Sequence, residues 1–271
     1  MRGRWPILAG VLIAFVNAVG CGGSDHERVD PEVMLDSAAA HPIRSAEIEV
    51  ALRARVEGVP RLSDPIALRL EGPYVSGGTA GLPSFDWRLS ASALGFPVGG
   101  RLVSTGENVY LTVYGSQYEV GRPEVAAANA RLADAGGPRL RVRRWLGPAR
   151  VSGEDSAGGV DCERISAPLR GEVVRRDLAP LASGLGFEAP AVSGRAVACV
   201  GYDDRVLHEL SLDAMLGLSA ADSARLGGAG AIHLDAEVVS SDVGEPQEIE
   251  APRGPFRPIR DLFLTLESLV G

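Results

Sequence analysis

The sequence predicts an α+β chain built on one extended antiparallel sheet with a few covering helices. Three observations carry that expectation. From residue 46 onward, apolar and polar residues alternate with period two over one segment after another. Gly, Pro and Asp punctuate the gaps between segments, as consecutive antiparallel strands require. Helical spacing is confined to short stretches, and no 20–50-residue period recurs that would signal a solenoid or propeller.

Taken in order, Asp30 is placed to cap a helix whose first residue is Pro31. Met34, Leu35 and Ala38 give that helix an apolar side, and Pro42 ends it. The period then changes to two. Ala46, Ile48, Val50, Leu52, Ala54 and Val56 face one way, and Glu47, Glu49, Arg53 and Arg55 face the other. Ile66, Leu68 and Leu70 repeat the pattern before Gly72-Pro73. So do Phe85, Trp87, Leu89, Ala91 and Ala93, and then Val109, Leu111 and Val113. Nearer the C-terminus, Leu210, Leu212 and Ala214 alternate with Glu209, Ser211 and Asp213. Ile232, Leu234, Ala236 and Val238 form the last such set. Helices are expected over 123–134, over 170–182 as far as Pro180, and over 259–269, where Leu262, Phe263, Leu266 and Leu269 share a side. No linker divides 31–271, so a single domain is expected there.

Residues 1–30 are not part of that fold. Arg2 and Arg4 precede an apolar run of about fifteen residues, which as a helix rises only about 22 Å. That falls short of a hydrocarbon core of about 30 Å, so a secretory signal fits better than a membrane span. Ala18-Val19-Gly20-Cys21 resembles the lipobox of bacterial lipoproteins, in which the cysteine is acylated. Residues 1–20 are then a lipoprotein signal peptide, and 21–30, beginning Gly22-Gly23-Ser24 after Cys21, a flexible tether. Cleavage without acylation is the alternative. Two cysteines remain, Cys162 and Cys199. An even number beyond the inner membrane fits one disulfide, with free buried thiols as the other reading.

Charge and motifs exclude several classes. The net charge is −8, and all 27 basic residues are arginine. Scattered arginines on an acidic chain make a poor nucleic-acid ligand, and the one tight cluster, Arg139, Arg141, Arg143 and Arg144, is short. Four histidines at 26, 41, 208 and 233 show no metal-ligand spacing; His208 and His233 read as solvated or capping residues. There is no G-x-S-x-G elbow, P-loop or G-x-G-x-x-G after a strand. Gly227, Gly228 and Gly230 precede a strand and read as a turn, and Asp203-Asp204 reads as a hairpin tip. No constellation argues for catalysis, and no metal or cofactor is implied.

The strings "PEVMLDSAAAHPIRSAEIEV", "EGPYVSGGTAGLPSFDWRLS", "STGENVYLTVYGSQYEV", "GYDDRVLHELSL" and "PIRDL", in this order behind a lipobox cysteine, resemble the LolA-like lipoprotein carriers of the LppX/LprG type. The resemblance implies a half-barrel, one curved antiparallel sheet wrapped around helices with an apolar cavity between. It implies a lipid or lipidated ligand, a membrane-anchored extracytoplasmic location, and proximity of the strands bearing Cys162 and Cys199. The dry faces of the early strands are then the expected lipid-binding residues: Ile48, Val50 and Leu52; Leu68 and Leu70; Phe85, Trp87, Leu89 and Ala91. The small side chains of Ala91 and Ala93 leave room there. The competing expectation is a non-catalytic structural or interaction lipoprotein, its cavity closed by Leu262, Phe263 and Leu266.

Overall fold

The computed structural model describes residues 30–41, 43–59, 64–78, 81–93, 95–134, 142–184 and 187–262. Cys21, the signal and most of the tether lie outside them, as do Pro42, Arg139, Arg141, Phe263, Leu266 and Leu269.

The described residues open with helix α1 (Pro31–Ala40). Asp30 caps it, its side chain accepting the Glu32 N–H at 2.8 Å. Six strands follow as a meander: β1 (Ser45–Val56), β2 (Ile66–Val75), β3 (Ser84–Ala93), β4 (Phe96–Thr105), β5 (Val109–Val113) and β6 (Ser116–Glu119). Helices α2 (Arg122–Asp134) and α3 (Val142–Trp145) lead to a second meander of β7 (Arg150–Ala157), β8 (Val160–Pro168), β9 (Ala191–Gly201), β10 (Leu207–Gly217) and β11 (Ala231–Ser241). Helix α4 (Gly171–Gly184) joins β8 to β9, and α5 (Ala220–Arg225) joins β10 to β11.

The two meanders fuse where β1 pairs with β11, giving one 12-stranded sheet of order β12-β6-β5-β4-β3-β2-β1-β11-β10-β9-β8-β7. Every neighbouring pair is antiparallel except the outermost, where the two-residue β12 (Arg257–Pro258) runs parallel to β6. The sheet is open, and it curls. Three strands separate β7 from β11, yet a Cβ on Gly158, in the β7–β8 turn, would collide with the Ser240 carbonyl oxygen on β11.

The period-two sets land where expected. In register, Val50 stands between Leu70 and Val238, and Leu52 between Leu68 and Ala236. Met34, Leu35 and Ala38 of α1 share one core with Ile48, Val50, Leu70, Trp87 and Leu210. Several elements differ from the sequence reading. Strand β2 continues through Gly72-Pro73 rather than ending there. At Gly72, φ is +143° and the Asp86 carbonyl stands where a side chain would project, so only glycine lets β3 pass. Helix α4 runs past Pro180 to Gly184, because Pro180 lies on its exposed side, where solvent serves the carbonyl that loses its donor. His208 is not solvated. It is 2% exposed, its Nε2 lies 2.8 Å from Asp204 Oδ2, and Asp204 in turn accepts the Val206 N–H at 2.9 Å. His233 does sit on the polar face, 2.7 Å from Glu57.

Cys162 and Cys199 form a disulfide between β8 and β9, with Cα atoms 5.4 Å apart and 37 residues of sequence separation. Closing that loop restricts the unfolded chain by about 3–4 kcal/mol. The double variant Cys162→Ala/Cys199→Ala should therefore lose about that much unfolding free energy in urea titration, while β1–β6 keep their far-UV signature.

Tyr74 is fully buried on the apolar face, and burial pushes its hydroxyl up to about 12 against a weaker lowering by its hydrogen bond to Ser76. A raised native pKa means that the unfolded chain releases this proton first, so stability is intact below pH 10 and falls from pH 10 towards 12. The chain contains no lysine, so tyrosines alone titrate strongly in that window. Tyr74→Phe should flatten the alkaline fall, by up to about 2–3 kcal/mol at pH 12, in denaturant melts across that range.

Candidate lipid-binding face

Because β1, β2 and β3 are in register, the nine residues expected to bind lipid form one continuous patch on the apolar face. Val50, Leu70 and Leu89 make one row, and Leu52, Leu68 and Ala91 the next. The patch is not uniform. At the end nearest the start of β1, Ile48, Val50, Leu70, Phe85 and Trp87 are all 0–2% exposed and packed in the core with α1. Phe85 and Trp87 stack with ring centroids 4.2 Å apart. The Trp87 indole N–H is buried with no hydrogen-bond partner among the described residues.

Burial falls away down the same face. Leu52, Leu68 and Leu89 are half-buried, packed only against the margin of the core. Ala54, Ala91 and Val98 are also half-buried, and Ala93 is exposed. At the far end Ile66 is 41% and Phe96 72% exposed. The face predicted as one apolar strip is thus solid core over its first half and a partly open strip over its second.

A recess lies on the opposite, polar face, which sequence reasoning did not single out. It measures about 780 Å³ and runs across the sheet from Ser90 and Pro97 to Arg164 and Arg195. Leu52, Leu68 and Ala91 also border it, the members of the predicted set that it includes. Ala51, Ala67, Ser90 and Ser211 hold the trough open by being small, a signal present in the sequence where Ala51 interrupts the run Glu47, Glu49, Arg53, Arg55. Around it stand four acids and four arginines, among them Glu49, Asp213, Arg53 and Arg195. Arg69 bridges Glu49 at 2.9 Å and Glu71 at 3.2 Å, and Arg55 meets Asp235 at 3.2 Å. These pairs are exposed and each contributes at most about 1 kcal/mol. A trough so charged suits a polar group rather than an acyl chain.

Among the described residues, no cluster of three or more His, Cys, Asp or Glu is placed to hold a metal ion, and no helix is long and apolar enough to cross a membrane.

No family model matches the chain, and no curated protein matches it. Solved structures do resemble it. LprF from Mycobacterium bovis is 14% identical, with 83% of this chain and 97% of that one covered at a TM-score of 0.49. The lipoprotein LppX of Mycobacterium tuberculosis is 11% identical over 90% and 98% of the two chains, at 0.42. A LolA superfamily protein from Nitrosomonas europaea is 8% identical over 82% and 96%, at 0.25. These are proteins of the type that the sequence strings resemble. At such identities and TM-scores, none of them assigns a ligand to this chain.

The two halves of the face should respond differently to truncation. Ile48→Ala or Leu70→Ala opens a cavity in closed core and should cost about 2–5 kcal/mol. Leu52→Ala or Leu89→Ala removes a half-exposed side chain and should cost about 1 kcal/mol or less. Chemical denaturation of the four single variants checks the contrast.

Proposed function

We propose that this chain is an envelope lipoprotein, anchored through acylated Cys21, that holds a lipid or lipidated molecule on the half-open part of its apolar sheet face and carries it across the envelope. The supporting observation is the burial gradient. One face passes from complete burial at Val50 and Leu70 to 41% exposure at Ile66 and 72% at Phe96, with Leu52, Leu68, Leu89 and Ala91 between. A soluble protein rarely leaves a contiguous apolar strip open without an occupant. Each acyl methylene buried there contributes about 0.8 kcal/mol, so ten of them offset much of the ordering cost of binding. The core half of the predicted set, Ile48, Val50, Leu70, Phe85 and Trp87, serves in this reading as the rigid back of the site.

A second reading draws on that same core half. Five of the nine residues are already filled by the chain's own packing, as expected of a non-catalytic structural or interaction lipoprotein.

Replacing Ala91 with Trp separates the two. In a carrier the indole occupies ligand space, so lipid co-purifying with the wild type, seen by native mass spectrometry, should be lost with little change in melting temperature. In the structural reading neither protein carries lipid, and the indole lies on the half-open strip with no ligand to displace. Absence of co-purifying lipid from both proteins favours the structural reading and removes the carrier.

A further inference from the structure

The polar face carries a second recess at its β7 edge, of about 520 Å³, adjoining the trough. Three arginines stand around it: Arg150 on β7, Arg164 on β8 and Arg195 on β9, with Ser152, Ser166 and Val197 between them. The register explains the grouping. Arg150 lies opposite Ser166, Val197 lies opposite Ser166 from the other side, and Arg195 faces Pro168. None of the residues lining the recess is acidic, whereas the trough next to it has four acids.

The nearby carboxylates do not use up this charge. Asp155 holds Arg164, and Asp213 lies 3.7 Å from Arg195, both in exposed pairs of the weak class. Arg150 has no ion pair, and Ser166 no side-chain hydrogen bond, among the described residues; Ser152 donates its hydroxyl to the Arg164 carbonyl at 3.0 Å. Guanidinium groups around a free hydroxyl suit a tetrahedral oxyanion, because the planar fork engages two oxygens at once.

We propose that Arg150, Arg164, Arg195 and Ser166 form a binding site for a phosphate-type oxyanion. Two sources share this chemistry, an anionic lipid headgroup and free phosphate. The headgroup is favoured by position. Arg150 follows Ala149, whose N–H donates to Glu32 Oε1 at 2.7 Å, and Glu32 lies in the first turn of α1, two residues from Asp30. The tether between Cys21 and Asp30 spans at most about 30 Å, so an anchored Cys21 holds this corner near the bilayer. Only the choice of source rests on the anchored-lipoprotein reading; the site itself does not.

Isothermal titration of the full chain in detergent, at about 50 mM NaCl to limit screening, tests the site with three water-soluble probes. These are glycerophosphoglycerol, inorganic phosphate and the zwitterionic glycerophosphocholine. Glycerophosphoglycerol should bind, glycerophosphocholine should bind more weakly, and Arg150→Gln/Arg195→Gln should lose affinity about tenfold or more, while Arg131→Gln, at an exposed position in the last turn of α2, does not. Binding of inorganic phosphate alone, with the same loss in the double variant, supports the site with solution phosphate as its source. Should the double variant unfold, a wild-type melting temperature raised by glycerophosphoglycerol and not by an equal concentration of NaCl supports the site, and no shift overturns it. Absence of binding by all three probes at about 10 mM, or binding that survives Arg150→Gln/Arg195→Gln, overturns the proposal. No probe carries an acyl chain, so failure of the lipid-carrier reading leaves this result unaffected.

Discussion

A mismatch of lengths shapes this molecule. Helix α1 has ten residues and rises about 15 Å, whereas β1 has twelve and spans about 40 Å. One apolar face therefore outruns its cover. Where Met34, Leu35 and Ala38 sit in the core, the sheet beneath is closed to solvent; beyond them the face at Leu52, Leu68 and Leu89 opens. Leu146, just past α3, joins the same core. Curl adds to the effect, since it brings the β7–β8 turn to Ser240 and wraps the sheet about the helix it does cover.

What could be read from sequence follows from which surfaces carry a periodic contrast. β1, β2, β3, β10 and β11 have one dry and one wet face, so alternation marks them and even predicts which residues meet in register. β4 shows no such contrast because Gly99 and Gly100 break its alternation, and Gly100 is small since the Thr112 carbonyl lies against it. β7, an edge strand wet on both faces over Arg150-Val151-Ser152-Gly153-Glu154-Asp155, has no contrast to show. The polar face failed to announce its trough for a related reason. A recess there is made by small side chains among charged ones, and hydropathy scores Ala51 or Ser211 as neither. The burial of His208 is not legible in the sequence because its partner Asp204 reads locally as a turn residue, and the β9–β10 hairpin brings the two together.

An open sheet has two edges to protect, and the chain treats them differently. At one, β12 adds only two residues, and Pro258 offers no N–H to a further strand. At the other, β7 presents charge and a register shift between Val151 and Gly153, and the Cys162–Cys199 disulfide ties the neighbouring β8 to β9. The covalent tie lies near the end where β7 curls over, so that edge is the one given a cross-link.

These arrangements separate stability from openness. The buried half of the face, anchored by Trp87, Tyr74, Phe85 and Leu70, contributes its hydrophobic stabilisation without reference to what lies on Leu52 or Leu89. A strip whose occupant is not needed for folding can exchange that occupant, whereas a ligand completing the only core could leave only as the protein unfolded. The Trp87 N–H, without a hydrogen-bond partner among the described residues, fits the same division. It costs about 1–3 kcal/mol where the core is strong enough to absorb it, behind the strip and not on it. For a carrier, the consequence is that the upper half of the sheet sets stability and the lower half sets affinity, and each can change in sequence without forcing a change in the other.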